Sequence, residues 1–249
     1  MPLRVEYPNP AALPERLSSG HSSASLPEYD GTVVNADDEN VMLSTKKCDT
    51  KLVTFGMKDA DFTPGEITYK RGFASFDIFH KGKLLCRAEL KVPGRHMVYD
   101  VLAVAAAAHT DGIPGDAIAR GVAAYDGIKR RIELRGKTTA GFAVYDDYAH
   151  HPTEIRSALS TAVELGYKKN VCVFQPHTYS RTAELYSDFL TAFDPADRVF
   201  FLDVYAAREV NPYGVSSAGL AADIGERMLG ERRVHLHLVD LVRGRRRAL

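Results

Sequence analysis

Cysteine is scarce in this sequence: Cys48, Cys86 and Cys172 stand far apart and are odd in number. Such a set makes neither a disulfide framework nor a CxxC metal site, and it fits a reducing compartment. Net charge of either sign is lacking as well, because 32 Lys and Arg balance 32 Asp and Glu. Without a bulk field, the chain is not drawn to nucleic acid or to an acidic membrane surface. Long apolar runs are missing; the longest, Val101 to Ala108, is mostly alanine and far too short to cross a bilayer. No basic segment followed by an apolar core opens the chain, so no signal peptide is read and the cytoplasm is the expected location. A phosphate-binding loop of the form G-x-x-x-x-G-K-[ST] is absent too. Gly136-Lys137-Thr138 has the right ending, but Arg131 stands where the first glycine is required, and the flanking alternation marks a hairpin turn.

What is present is ordinary for a globular protein: 45% hydrophobic and 26% charged residues, at a length that allows one large or two modest cores. Residues 1–29 concentrate five prolines and a serine cluster, and read as an irregular leader. The run Arg243, Arg245, Arg246 and Arg247 reads as a solvated basic tail. Between them, short strands alternate with helices. Strands are expected at Gly31–Asn35 and Lys51–Phe55 around a helix near Glu39–Lys47, then at Glu66–Arg71, Phe73–His80 and Leu84–Val92. The last two join at Lys81-Gly82-Lys83 in a hairpin. Helices follow at about 96–109 and 114–125.

A second module begins near Arg131. Ile132–Arg135 and Phe142–Asp146 alternate as strands, and a helix opens at Pro152, a residue suited to the first helical position. Asn170–Phe174 and Arg198–Leu202 are continuous apolar strands. One amphipathic helix carries Leu185, Phe189, Ala192 and Phe193, another spans about 216–228, and a last strand lies at 234–238. Apolar strands separated by amphipathic helices predict an α/β fold with a mostly parallel sheet covered on both faces.

Chemistry collects just past three strands. Phe142–Asp146 runs into Asp147, Tyr148, His150 and His151; Asn170–Phe174 into Gln175, His177, Tyr179 and Arg181; Arg198–Leu202 into Asp203, Tyr205, Arg208 and Glu209. In an open parallel sheet these ends form one rim where ligands bind. Arg181 falls in the first turn of a helix, where the dipole disfavours a cation. With His177 beside it, that turn is suited to a phosphate or carboxylate; the alternative is a structural ion pair of Arg181 with Glu184 or Asp203. Asp146, Asp147, His150 and His151 also suggest a metal-dependent hydrolase, although no HxH or HExxH spacing supports one.

These same segments carry a resemblance. Asp146-Asp147-Tyr148-Ala149-His150-His151-Pro152-Thr153-Glu154, Gln175-Pro176-His177-Thr178-Tyr179-Ser180-Arg181-Thr182 and Asp203-Val204-Tyr205-Ala206-Ala207-Arg208-Glu209 resemble three signatures of the Mur ligases, in particular those acting on UDP-N-acetylmuramate and L-alanine. Gly127-Ile128-Lys129-Arg130-Arg131 is similar to that family's junction between central and C-terminal domains, and Pro93-Gly94-Arg95-His96 to the entry of its adenine-binding helix.

The resemblance implies a partial α/β central ATPase domain over residues 30–129 and a Rossmann-like C-terminal domain over 130–249. It implies peptide-bond formation between UDP-N-acetylmuramate and L-alanine, using ATP and Mg²⁺, through an acyl phosphate of the lactyl carboxylate. On that basis His96 lies near adenine; Lys129, Arg130 or Arg131 faces phosphate or ribose; Asp147 and His150 belong to the nucleotide side. His177 and Arg181, with Tyr148 and Arg208, face the sugar-nucleotide carboxylate or its acyl phosphate. Three departures stand out: Met97 and Asp100 replace asparagines of the adenine helix, Thr178 replaces an arginine, and the glycine-rich last strand gives way to the arginine tail. The UDP-sugar-binding domain, the phosphate-binding loop and the metal carboxylates have no counterpart among these residues, so the isolated chain is expected to be inactive and a complementing N-terminal half is a candidate partner. A non-catalytic sugar-nucleotide-binding module, a tripeptide-adding muramate ligase and a folate-type relative are the alternatives.

Overall fold

The structure, a computed structural model, describes residues 31–46, 48–228 and 236–238. The leader, the arginine tail and the start of the last expected strand lie outside the described residues. No helix among the described residues is long and apolar enough to cross a membrane. The chain divides into two compact units, Met1–Asp126 and Gly127–Leu249.

In the first unit, β1 (Thr32–Asn35), β2 (Leu52–Phe55) and β3 (Phe62–Pro64) run parallel, with α1 (Glu39–Thr45) between the first two. Asp38 caps α1 by accepting from the amides of Asn40 and Val41, which satisfies two of the donors a helix start leaves open. β5 (Phe73–His80) then pairs antiparallel with β3, with the short β4 (Thr68–Lys70) and with β6 (Lys83–Glu89). The β5–β6 turn has φ of 50° at Lys81 and 75° at Gly82. Two consecutive left-handed residues make the tight turn whose twist matches a hairpin, and Gly82 takes that conformation without a Cβ penalty. β3 was not expected: three residues ending in proline carry no visible alternation, yet Phe62 is almost wholly buried.

Two helices close this unit, α2 (Met97–Thr110) and α3 (Gly115–Ala124). On α2 the buried residues Met97, Val98, Val101, Leu102, Ala105 and Ala106 form one stripe. They join Phe62, Ala74, Phe76, Ile78 and Ala88 from the sheet in a single core. The alternate residues Ala74, Phe76 and Ile78 are the inward face of β5.

The second unit starts with the antiparallel pair β7 (Glu133–Lys137) and β8 (Ala143–Asp146), turning at Thr138–Gly141. α4 (Pro152–Glu164) follows with a reciprocal cap. His151 accepts from the Thr153 amide, and Glu154 accepts from the amides of His150 and His151. Burial raises the Glu154 carboxyl, but those amide bonds and the nearby His150 and Arg131 outweigh it and hold it below the usual carboxylate range. Next come β9 (Val171–Phe174), α5 (Tyr179–Glu184), α6 (Tyr186–Ala192), β10 (Arg198–Phe201), α7 (Ser217–Met228) and β11 (Leu236–Leu238). Strands β9, β10 and β11 form a parallel sheet in the order β11-β10-β9. Phe174, Phe189, Phe193, Val199, Phe201, Leu220 and Ile224 build its core.

Three expectations need correction. β8 is not a member of the parallel sheet; its alternating side chains and the tight Thr138–Gly141 turn commit it to β7. The sheet is not covered on both faces at β9: Cys172 and Phe174 face the core, while Val171 and Val173 remain 56% and 63% exposed. The single helix expected around Leu185 is two, because Leu185 leaves helical geometry at φ −103° and ψ 19°.

Candidate functional site

Past the ends of β9 and β10 the two connections stay bonded to one another. The Leu202 amide donates to Phe174 O at 2.9 Å, the Gln175 side-chain amide donates to Asp203 O at 3.0 Å, and the Tyr205 amide donates to Pro176 O at 2.9 Å. His177 and Tyr205 then meet in an isolated parallel bridge, their rings stacked at 5.3 Å. The sheet therefore continues, side by side, to the residues expected at its rim. Two strands deliver it, not three.

The third segment nevertheless arrives. The His150 ring lies 6.5 Å from that of His177, and Tyr148 meets His150 edge to face at 5.2 Å. The guanidinium of Arg130 covers the Tyr148 ring at 4.3 Å, a cation–π contact. Arg130 also approaches Asp146 at 3.9 Å, and Arg131 pairs with Glu154 at 3.5 Å. Both carboxylate oxygens of Asp147 already serve the backbone, one accepting from Ile132 N at 2.8 Å and the other from Ala149 N at 2.7 Å. This holds Ile132, a β-branched residue, at φ 47°, beside Arg130 at φ 62°. Asp147 thus organises the Gly127–Ile132 segment around β8. His150 faces the Tyr148 carbonyl and Glu154, and His151 is the helix cap described above. These partners account for the aspartates and histidines that suggested a metal; among the described residues no group of three or more such side chains could hold one.

Arg181 bends back over its own turn. Its Nη1 donates to His177 O at 3.1 Å and lies 3.2 Å from His177 Nδ1. Among the described residues it has no ion pair with Glu184 or Asp203. A guanidinium without a carboxylate partner, beside an imidazole, is equipped to bind a carboxylate or phosphate. An open cavity of about 500 Å³ adjoins it, lined by His151, Thr178, Ser180, Arg181, Glu184 and Glu209. The start of α5 is not free to take an anion. Glu209 already accepts from Ser180 N at 2.9 Å and from Ser180 Oγ at 2.5 Å, and those bonds hold its carboxyl below the usual range.

Thr178 links these elements. Its backbone sits at φ 65° and ψ 166°, a region populated almost only by glycine and costing a side-chain-bearing residue on the order of 1–3 kcal/mol. The sequence places Glu209 at the rim and marks Thr178 as a departure, but it gave no signal that Glu209 binds Ser180, 29 positions away. Arg208 is exposed and without a hydrogen-bond or ion-pair partner among the described residues. His96 precedes α2 in the first unit, exposed, with Met97 buried behind it. Lys129 is exposed beside Glu133, whose carboxyl it helps to lower after the Arg130 amide and Arg135.

Comparison with known proteins adds to this geometry. Residues 130–246 match the family described as Mur ligase, glutamate ligase domain, and residues 23–108 match the Mur ligase middle domain. A UDP-N-acetylmuramate–L-alanine ligase of Clostridium novyi is 40% identical over 85% of this chain and 46% of its own length. One from Caldicellulosiruptor saccharolyticus is 42% identical over 78% of this chain and 43% of its own. The chain thus spans less than half the length of the relatives it matches. Among solved structures, the UDP-N-acetylmuramate-alanine ligase of Thermotoga maritima aligns with TM-score 0.65 at 26% identity, over 83% of this chain and 43% of that one. A folylpolyglutamate synthase of Mycobacterium tuberculosis aligns with TM-score 0.59 at 20% identity, over 80% of this chain and 42% of that one, a likeness of fold alone.

Proposed function

The chain belongs to the Mur ligase family, and from that membership we propose that it forms the middle and C-terminal part of a cytoplasmic, ATP-dependent ligase joining L-alanine to UDP-N-acetylmuramate. The observation that carries this reading is the pairing of Arg181 with His177 at the rim of the parallel sheet, in a chain 40% identical over 85% of its length to a relative of that name. A lactyl carboxylate is an anion that a guanidinium binds strongly, because charge-assisted hydrogen bonds are roughly twice as strong as neutral ones. His177, steadied by Tyr205 and Arg181, would donate a ring N–H to the same carboxylate, with Tyr148 and Arg208 at the approach.

On the nucleotide side, Asp147, His150, Lys129, Arg130 and Arg131 surround one corner of the second unit, and His96 opens α2 in the first. Arg130 and Arg131 are partly neutralised by Asp146 and Glu154, while Lys129 remains available to phosphate. Bound ATP would supply the phosphoryl group that activates the carboxylate. Among the described residues no group of three or more His, Cys, Asp or Glu side chains could hold a metal ion, so Mg²⁺ would arrive with ATP, held mainly by its phosphates and water.

Two measurements on the 249-residue chain test the reading. Calorimetric titration with UDP-N-acetylmuramate should show binding, and Arg181→Ala should weaken it at least about tenfold, the equivalent of ~1.4 kcal/mol. Unchanged affinity in that variant sinks the anion site. Given ATP, Mg²⁺, UDP-N-acetylmuramate and L-alanine, the same chain should release no ADP above background, because it contains no phosphate-binding loop; an N-terminal half supplied in trans should restore turnover. Clear turnover by the chain alone would refute this dependence.

A further inference from the structure

We infer that Glu209 is a positioning residue for the anion site: it holds Thr178 in its left-handed backbone conformation, and Thr178 in turn sets where His177 and Arg181 point. The inference rests on reading those two residues as the anion site.

The connections run in one chain. Glu209 accepts from both the amide and the hydroxyl of Ser180, and its carboxylate also engages the Thr178 side chain and the Tyr179 amide. Thr178 Oγ1 lies 3.1 Å from Ser180 Oγ, which itself donates to Glu209, so the Thr178 side chain is tied to the carboxylate through the Ser180 hydroxyl. On the other side of the strained residue, the Thr178 carbonyl accepts from Thr182 N at 3.1 Å and Thr182 Oγ1 at 2.6 Å. Thr182 is fully buried, so this end cannot relax. The peptide preceding Thr178 supplies the His177 carbonyl to which Arg181 Nη1 donates. Were Thr178 to relax to an ordinary extended conformation, that carbonyl would rotate and Arg181 would lose it.

A β-branched residue stays in a glycine-like region only when its surroundings over-determine it. Thr178 is over-determined from one side by Thr182 and from the other by Glu209. Glu209 has both carboxylate oxygens committed to Ser180, one to its amide and one to its hydroxyl, and no ion pair with Arg181 among the described residues. It works through the backbone.

The test is nuclear magnetic resonance on the isotopically labelled full chain. It compares wild type, Glu209→Ala, and the double variant Glu209→Ala/Thr178→Gly. Two signals are read: the intraresidue amide–Hα Overhauser effect at position 178, strong at positive φ, and the ring nitrogen shifts of His177. Glu209→Ala should lose the strong effect at 178 and move the His177 nitrogens. Adding Thr178→Gly, which takes the same conformation without a Cβ, should return the His177 nitrogens to their wild-type positions. The inference is overturned if Glu209→Ala leaves both signals unchanged, or if the glycine restores nothing, since a purely local cap would not be rescued from position 178. Should Glu209→Ala unfold the unit, Glu209→Gln takes its place with the same two outcomes. Neither signal needs a ligand, so a failure of UDP-N-acetylmuramate to bind would sink the functional reading while the coupling of Glu209 to His177 through Thr178 is judged separately by these signals.

Discussion

His80 stacks on Phe62 at 4.4 Å and meets the edge of the His109 ring at 4.8 Å, at the border of the first core. Burial lowers the His80 pKa below its ordinary 6.5, with His109 and Lys81 adding to the effect and Asp61 opposing it. A histidine depressed in the folded state favours the neutral ring there, while the unfolded chain binds a proton more readily. Its contribution to stability is therefore complete above about pH 6.5 and is lost as pH falls through that value towards the folded pKa. The urea midpoint of the first unit should drop between pH 7.5 and pH 5.5, and His80→Asn should flatten that drop. A slope unaltered by the substitution would assign it elsewhere. The cysteines illustrate the same physics without consequence for function: burial pushes the Cys172 thiol up to about 12 and raises Cys86, so neither is a nucleophile.

Among elements, α3 shows how close packing depends on one missing atom. A Cβ at Gly115 would stand 2.3 Å from the carbonyl oxygen of Leu85 in β6, with backbone on both sides of the clash. Gly115→Ala must push α3 off the sheet, and overpacking of this kind costs ~1–3 kcal/mol. A fall in the thermal midpoint of the first unit checks this; an unchanged midpoint would mean the helix shifts freely. Gly115 gave no hint of this in the sequence, because the contact is set by tertiary packing. The signals that were legible are local ones. Lys81-Gly82 between two alternating runs specified a hairpin, and His151-Pro152 with Glu154 specified a helix start. Pairing between distant segments was not legible. The hairpin turn read at Gly136-Lys137-Thr138 is present but lies at Thr138–Gly141, with Gly136 and Lys137 inside β7, and it overrides the placement of Phe142–Asp146 at the parallel rim. The same limit explains the site: His177 and Arg181 announce themselves by position after a strand, whereas Glu209 acts on Ser180 from another connection.

For the molecule as a whole, each unit carries its own apolar core, and the chain between them is exposed at Tyr125, Asp126, Ile128 and Lys129. We propose that the units are the partial central domain and the C-terminal domain expected from the sequence, and that the second folds without the first. Limited proteolysis should cut near residues 125–130 and leave a fragment starting there that still unfolds cooperatively in urea. Uniform resistance from residue 31 onward, or a fragment with no unfolding transition, would make the two units one. The junction has a reason to be well formed on its C-terminal side: Asp147 grips Ile132, and the Tyr148 amide donates to Arg130 O at 2.8 Å. The alternation of apolar strands and helices made the α/β class legible at this scale, and the uncovered valines of β9 were not, since a strand's composition does not reveal which of its faces finds a neighbour.

The bridge between His177 and Tyr205 has a consequence for how this corner will respond to change. Two stretches of chain that share backbone bonds and stacked rings respond to substitution together, so altering either ring shifts its neighbour as well. Free energies measured for single replacements at these positions will then overlap, and their sum will exceed what the pair loses when both rings are removed. Evolution faces the same arithmetic: a new side chain at one of these sites is judged in the company of the other.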